Sequence, residues 1–318
     1  MKKIKIIAPS NSAIDINKEI MKYGVKRLIT NGFDVEFGNF IFTSKVFGMA
    51  TLAEKQEDIN RAIYEKVDFL LTIFGGYNSD SLLDKINYEM YNSILIGYSD
   101  TTALMNALYT KTGKKSIHGL SFAALCEPRI DRKSLELFFK VMNGECNIVM
   151  EAANYIDNDF WFMNADNIAH VRTESAGWLP LVEGHAKGVL LGGNINTFIN
   201  LSGTQYFPEL SEAILLFEVS PETPIKKVFS YFTHLKYLNA YKKIKGMIIG
   251  IISPSDQQRD IQLLKLMFVE LEVNLNIPII VNTNFSHYCP IYPLVIGGIT
   301  EINSVSGNCY VKIIDGIK

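Results

Sequence analysis

Three short apolar runs in the first hundred residues constrain this chain most: "KIKIIAPS" at 3–10, "VDFLLTIF" at 67–74 and "SILIG" at 93–97. A strand that is apolar on both faces must be covered on both. That is the situation of a parallel sheet between helical layers, not of an antiparallel sheet with one wet face. The intervening stretches fit the covering role. Residues Asp15 to Thr30 read as a helix, with "FDVEF" as the next strand, and "TLAEKQEDINRAIYEK" has apolar residues at helical spacing. "GGYNSDSLLDKI" and "TTALMNALYT" read as two further helices after their strands. Repeated strand–helix units predict a parallel sheet with right-handed crossovers. Ligands in such sheets bind at the carboxyl ends of the strands. The loops "FGGYNSD" and "GYSDT" both belong on that edge.

At 318 residues, two domains are expected. The first is an α/β domain over 1–142. From about Asn143 the periodicity fades into an Asn- and Asp-rich stretch, so 143–184 reads as a linker or insertion. Residues 185–318 return to short strands such as "AILLFEVS", "IKGMIIGII" and "IPIIVNTNFSH", with helices in "PIKKVFSYFTHLKYL" and "RDIQLLKLMFVELEV". They form a second, β-rich α/β domain. With 31 basic against 33 acidic residues, the formal charge of -2 gives no field for gathering nucleic acid or an anionic membrane. Cys126, Cys146, Cys289 and Cys309 form no CxxC pair, which argues against a disulfide framework or zinc site and for a reducing compartment. Lys5 and Pro9 interrupt the N-terminal apolar run well short of the roughly 7–15 residues of a signal peptide core. A soluble, cytoplasmic protein with no metal or cofactor is expected.

Candidate chemistry gathers in a few places. The glycines of "FGGYNSD" allow backbone amides to approach an oxyanion or phosphate closely, or simply make a tight turn capped by Asn78 or Ser79. No GxGxxG or GxxxxGK[ST] is present, so a nucleotide fingerprint is missing. Ser99 stands in a strand–turn–helix resembling a nucleophile elbow, although Thr101 occupies the last glycine position of G-x-S-x-G. Ser99 or Asp100 could equally cap the following helix. A nucleophilic serine needs a base and a group to orient it. The histidines are His118, His170, His185, His234 and His287, with no HxH or HExxH spacing. Among them His287 follows the apolar run "IPIIV" in a polar loop, a common setting for catalytic groups. Glu218 directly ends the apolar strand "AILLFE".

With these residues assembled, the chain resembles the LD-carboxypeptidase and microcin C self-immunity family of serine peptidases. The resemblance runs through "IIAPSNS", "GGYNSDSLLDKINYE", "IGYSDTTALMNAL" followed by "HGL", "GVLLGGNINT", "ILLFEVS", "IKGMIIG" and "NTNFSHYCPIYPLVIGG". It implies a flavodoxin-like N-terminal sheet, a homodimer and a Ser-Glu-His triad. In that triad Ser99 is the nucleophile, Glu218 the orienting carboxylate and His287 the general base. It also implies an oxyanion hole from the Asp100 amide and the Gly75–Gly76 loop, with Gly76 donating. Gly75, Tyr77, Asn78, Trp161 and Trp178 are the substrate-binding candidates. An indole from the "DFWFMN…ESAGWLPL" stretch could stack on an adenine, or both tryptophans could pack at the domain junction. Two departures stand out: Ser286 precedes the histidine where the family usually has Gly, and Val219-Ser220 follow Glu218 where an acidic residue is usual. The resemblance implies hydrolysis of an aminoacyl- or peptidyl-nucleotide amide, as in microcin C immunity. The alternatives are a murein tetrapeptide LD-carboxypeptidase, and a non-catalytic small-ligand-binding protein.

Overall fold

The computed structural model describes residues 1–157, 172–273 and 276–317. Its strands in chain order are β1 (Lys2–Ile7), β2 (Phe33–Phe37), β3 (Phe69–Thr72), β4 (Ile94–Gly97), β5 (Ser116–His118), β6 (Ile148–Met150), β7 (Tyr155–Asp157) and β8 (Arg172–Glu174). They continue as β9 (Leu179–Val182), β10 (Gly184–Asn194), β11 (Ile214–Glu218), β12 (Gly246–Gly250), β13 (Ile279–Thr283), β14 (Leu294–Ile296), β15 (Ile299–Ser304) and β16 (Tyr310–Ile313).

The first sheet runs β14-β5-β4-β3-β1-β2, parallel from β2 to β5, so its parallel part has the doubly wound 2-1-3-4-5 order. All four β3 residues are buried, as the doubly covered reading requires. The flanking helices start on local signals. Asn17 caps Lys18–Thr30 through Glu19 N, and Thr51 and Glu54 form a reciprocal capping box on Leu52–Tyr64. The stretch after the glycine loop departs from expectation: it makes a short 3-10 turn at Ser79–Leu82, not a full helix. The order reverses between β1 and β3, and the loops after β1, β3 and β4 leave the same edge.

The second sheet, β6-β16-β15-β10-β11-β12-β13-β9, has a parallel centre from β10 to β13 and antiparallel flanks. Residues 148–150 and 179–182, within the stretch read as a linker or insertion, are its two edge strands. Phe217, Phe232 and Phe268 pack in its core at ring separations of 4.5 and 4.6 Å. Among the described residues no helix is long and apolar enough to cross a membrane.

The halves are stitched together. β14, from the C-terminal part, pairs antiparallel with β5 of the first sheet. The helix Thr102–Thr112 is clasped to β10 through Asn106, whose amide donates to Gly192 O at 2.9 Å and accepts from Gly192 N at 3.0 Å. Thr102 Oγ1 accepts from Asn194 N at 3.0 Å. The helix behind Ser99 is thereby held against the strand beside the one carrying Glu218. Asn106→Leu strands both Gly192 groups in a buried setting and is expected to lower unfolding stability by roughly 2–4 kcal/mol. Urea titration of the two proteins measures it.

Candidate active site

Four chain segments build the site. β4 ends at Gly97, and Ser99 follows in a turn with φ of +57°, a left-handed conformation that a serine adopts at a cost. The sharp turn lifts the side chain off the sheet edge, as in a nucleophile elbow. Neither Ser99 nor Asp100 caps the helix, which starts at Thr102 with no side-chain cap. The Asp100 carboxylate instead accepts from Ser10 Oγ and from Ser79 N at 2.9 Å, while Ser79 Oγ donates to Asp100 O at 2.8 Å. These bonds join the loops after β1, β3 and β4 into one unit. Burial raises the Asp100 pKa, with the Ser10 and Ser79 hydrogen bonds acting in the opposite direction.

The glycine loop backs directly on to the turn. A Cβ at Gly75 would lie 2.7 Å from Ser99 Cβ, 3.0 Å from Ser99 Oγ and 3.6 Å from the Asp100 nitrogen. Only a glycine lets the two backbones approach so closely. Gly75→Ala must therefore displace the loop or the serine. With about 1 Å of misplacement, a loss of roughly a hundredfold in kcat/KM is expected, with the thermal transition showing whether the fold is intact.

The second pair comes from the other sheet. Glu218 ends β11 and is almost wholly buried, and its Oε2 lies 2.6 Å from His287 Nδ1 in the loop after β13. Burial of the imidazole works against protonation, but the Glu218 charge and hydrogen bond, with Glu222 behind them, outweigh it and hold the His287 pKa above its ordinary value. The Tyr98 ring packs against the imidazole at 5.2 Å. Burial, and secondarily Glu218, push the Tyr98 hydroxyl up to about 12, so it stays protonated. Ser286 is not among the residues with positive φ, so the loop does not require a glycine there. Its buried hydroxyl accepts from Tyr288 N at 3.2 Å. Ser220 accepts from Asn194 Nδ2 at 3.1 Å.

Ser99, Asp100, His287, Gly75, Gly76, Tyr77 and Asn78 all line one cleft of about 790 Å³. Among the described residues the Ser99 hydroxyl has no hydrogen-bonded partner. A second cleft of about 600 Å³ adjoins it, sharing Phe74, Tyr98 and His287, and continues past Ser121, Glu127, Arg129 and Asp131. Trp178 is a correction: it lines neither cleft. Its indole N–H donates to Asn284 Oδ1 at 2.9 Å and its ring packs on Phe285 and Tyr292, so it is used for packing. Trp161 and His170 lie outside the described residues. His234 is engaged with Ser202 in its helix, and His185 is exposed on β10. Asn194 and Asn106 were not singled out from the sequence, although "GGN" after an apolar run was the signal available for the first.

The profile of the LD-carboxypeptidase N-terminal domain matches residues 4–119, and that of the LD-carboxypeptidase C-terminal domain matches residues 187–302. The chain belongs to the LD-carboxypeptidase family. Its relatives include the carboxypeptidase homologue YocD of Bacillus subtilis, 30% identical over 98% of this chain and 96% of that protein. The microcin C7 self-immunity protein MccF of Escherichia coli is 25% identical over 71% of this chain and 69% of MccF. Among solved structures, an MccF-like protein from Bacillus anthracis superposes with a TM-score of 0.90 at 29% identity, covering 99% of this chain and 97% of that one. MccF in complex with aspartyl sulfamoyl adenosine shares the fold at a TM-score of 0.87 and 24% identity, covering 99% and 96%. These LD-carboxypeptidase relatives share the mixed α/β architecture, with a mostly parallel N-terminal sheet and a β-rich C-terminal domain.

Proposed function

We propose that this LD-carboxypeptidase family member is a serine amide hydrolase acting on a small peptide-like substrate, with Ser99 as nucleophile, His287 as general base and Glu218 as its orienting carboxylate. The observation that carries the proposal is the 2.6 Å Glu218–His287 pair, whose imidazole lines the same cleft as a serine in a left-handed turn. His287 Nε2 takes the Ser99 proton as Oγ attacks the amide carbonyl, then delivers that proton to the leaving nitrogen as the C–N bond breaks. Water, deprotonated by the same imidazole, attacks the acyl carbon, and the imidazolium returns that proton to Ser99 Oγ as the acyl–serine bond breaks. Glu218 holds the proton on Nδ1, presenting Nε2 as the acceptor, and stabilises the imidazolium. The amides of Asp100 and Gly76 take the developing oxyanion, a role supported by the close backing of Gly75 on Ser99.

For the substrate we favour the amide of an aminoacyl- or peptidyl-nucleotide. The sequence relation to MccF supports it, as do two adjoining clefts meeting at His287, enough to seat an acyl part and a bulky leaving group on either side of the scissile bond. The family profile favours a second reading, a murein tetrapeptide LD-carboxypeptidase. Mass spectrometry on a murein L,D-tetrapeptide and an aspartyl-sulfamoyl-adenosine mimic, each with a Ser99→Ala control, separates the two. Cleavage of the nucleotide mimic is expected. Release of D-alanine alone would make the protein a carboxypeptidase of wall peptides, and silence on both substrates from folded protein would favour a binding protein.

A further inference from the structure

Beside the Glu218–His287 pair lies a second histidine that the mechanism above does not use. His118 ends β5, paired with Gly97 of β4 on one side and Leu294 of β14 on the other. It is 2% exposed, and among the described residues neither of its ring nitrogens has a hydrogen-bond partner. Its Cδ2 faces the end of β10: a Cβ on Gly193, which has φ of +128°, would lie 3.3 Å from it. The next residue, Asn194, pairs with Glu218 in the neighbouring strand. Glu218 has a matching deficit. Its Oε2 is used by His287, while the buried Oε1 has no partner among the described residues.

Buried polar atoms without partners are uncommon, because each costs its desolvation. Here an acceptor ends β11 of the second sheet and a donor-bearing ring ends β5 of the first, and both are stranded. They lie within electrostatic reach of one another. Burial, the larger effect, pushes the His118 pKa down to about 4, against a smaller opposing influence from Glu218. The ring is neutral at ordinary pH and carries one N–H donor.

We propose that His118 is a positioning residue, whose imidazole N–H serves Glu218 Oε1 through one bridging water, and so fixes the carboxylate that orients His287. Its consequence for turnover rests on the Ser99–Glu218–His287 reading, whereas its structural content does not. The titratable groups facing the pair are His118 from β5, Tyr98 after β4 and Glu222 after β11; Asn194 and Ser286 carry no charge. Removing the N–H concentrates the carboxylate charge on His287, so the pair takes up its proton at higher pH.

The test is a nitrogen-15 NMR titration of histidine-labelled full-length protein, comparing wild type, His118→Phe and His118→Gln. His118→Leu is the smaller donor-free variant, used if Phe does not fold. In the donor-free variant the His287 titration is expected to move up by about half a pH unit or more. Reaction of Ser99 with a fluorophosphonate is expected to slow roughly tenfold. His118→Gln, which keeps a donor, should stay near wild type in both. An unchanged His287 titration in the donor-free variant would overturn the inference, as would equal shifts in the donor-free and Gln variants. Wild-type protein that is inert to the probe yet shows the titration difference would instead sink the hydrolase reading and leave the His118 contact standing.

Discussion

Ser99→Ala is expected to slow product release at least about 10⁴-fold, toward a residual rate set by binding and oxyanion contacts alone. The size follows from what is lost. The alanine leaves the His287–Glu218 pair intact but removes the atom that forms the covalent bond, so the base has no proton to take. Because the members of such a constellation act as a unit, adding His287→Ala to Ser99→Ala should cost little more. Folding should be preserved, since the serine hydroxyl makes no hydrogen bond among the described residues. Alanine at φ of +57° carries about the same backbone cost as serine. Steady-state kinetics with product detection by mass spectrometry measures the loss, and thermal denaturation separates it from unfolding.

Glu218→Gln should cost roughly 10³–10⁴-fold, by a different route. The amide keeps the shape of the carboxylate but not its charge. It can stabilise the wrong imidazole tautomer, with the proton on Nε2 facing the serine. The pH dependence supplies a signed check. His287 must be neutral to act as base, and Glu218 holds its pKa above the ordinary value, so wild-type kcat/KM should fall as pH drops through that raised value. With Gln, burial is no longer outweighed, and the acid limb should move to lower pH even as the maximum rate collapses. The same shift has a stability counterpart. A histidine whose pKa is raised on folding contributes stability that is full below its unfolded value and lost as pH rises through the folded one. The Glu218–His287 pair should therefore stabilise wild type more at mildly acidic than at alkaline pH, a difference that Glu218→Gln removes.

The parallel half of the fold was legible because β3 is a continuous apolar run and the intervening stretches carry apolar residues at helical spacing. The triad candidates were legible for a related reason: Ser99, Glu218 and His287 are polar groups placed at or just beyond the ends of apolar strands. What escaped reading depends on partners distant in sequence. "GGYNSDSLL" does not continue as a helix, because Ser79 is tied to Asp100 across the strand edge. β6 and β9 are three and four residues long, too short to show a period, and become strands by adding to sheet edges already formed. Trp178 could be read as a stacking platform or as core from its neighbours in the chain alone. The choice was made by Asn284, more than a hundred residues on. His118 in "HGL" looked ordinary, since nothing local reveals that both ring nitrogens would be buried beside the carboxylate of another sheet.

A nucleophile from one sheet and a base from the other should act together on one scissile amide bond. Intact-mass spectrometry of the full-length protein after treatment with a fluorophosphonate tests it most directly, with peptide mapping of the adduct. One stoichiometric adduct on Ser99 is expected, absent in Ser99→Ala and formed far more slowly in His287→Ala and Glu218→Gln. Wild-type protein that is folded yet unmodified, or an adduct on Ser99 that forms equally fast without His287, would contradict it.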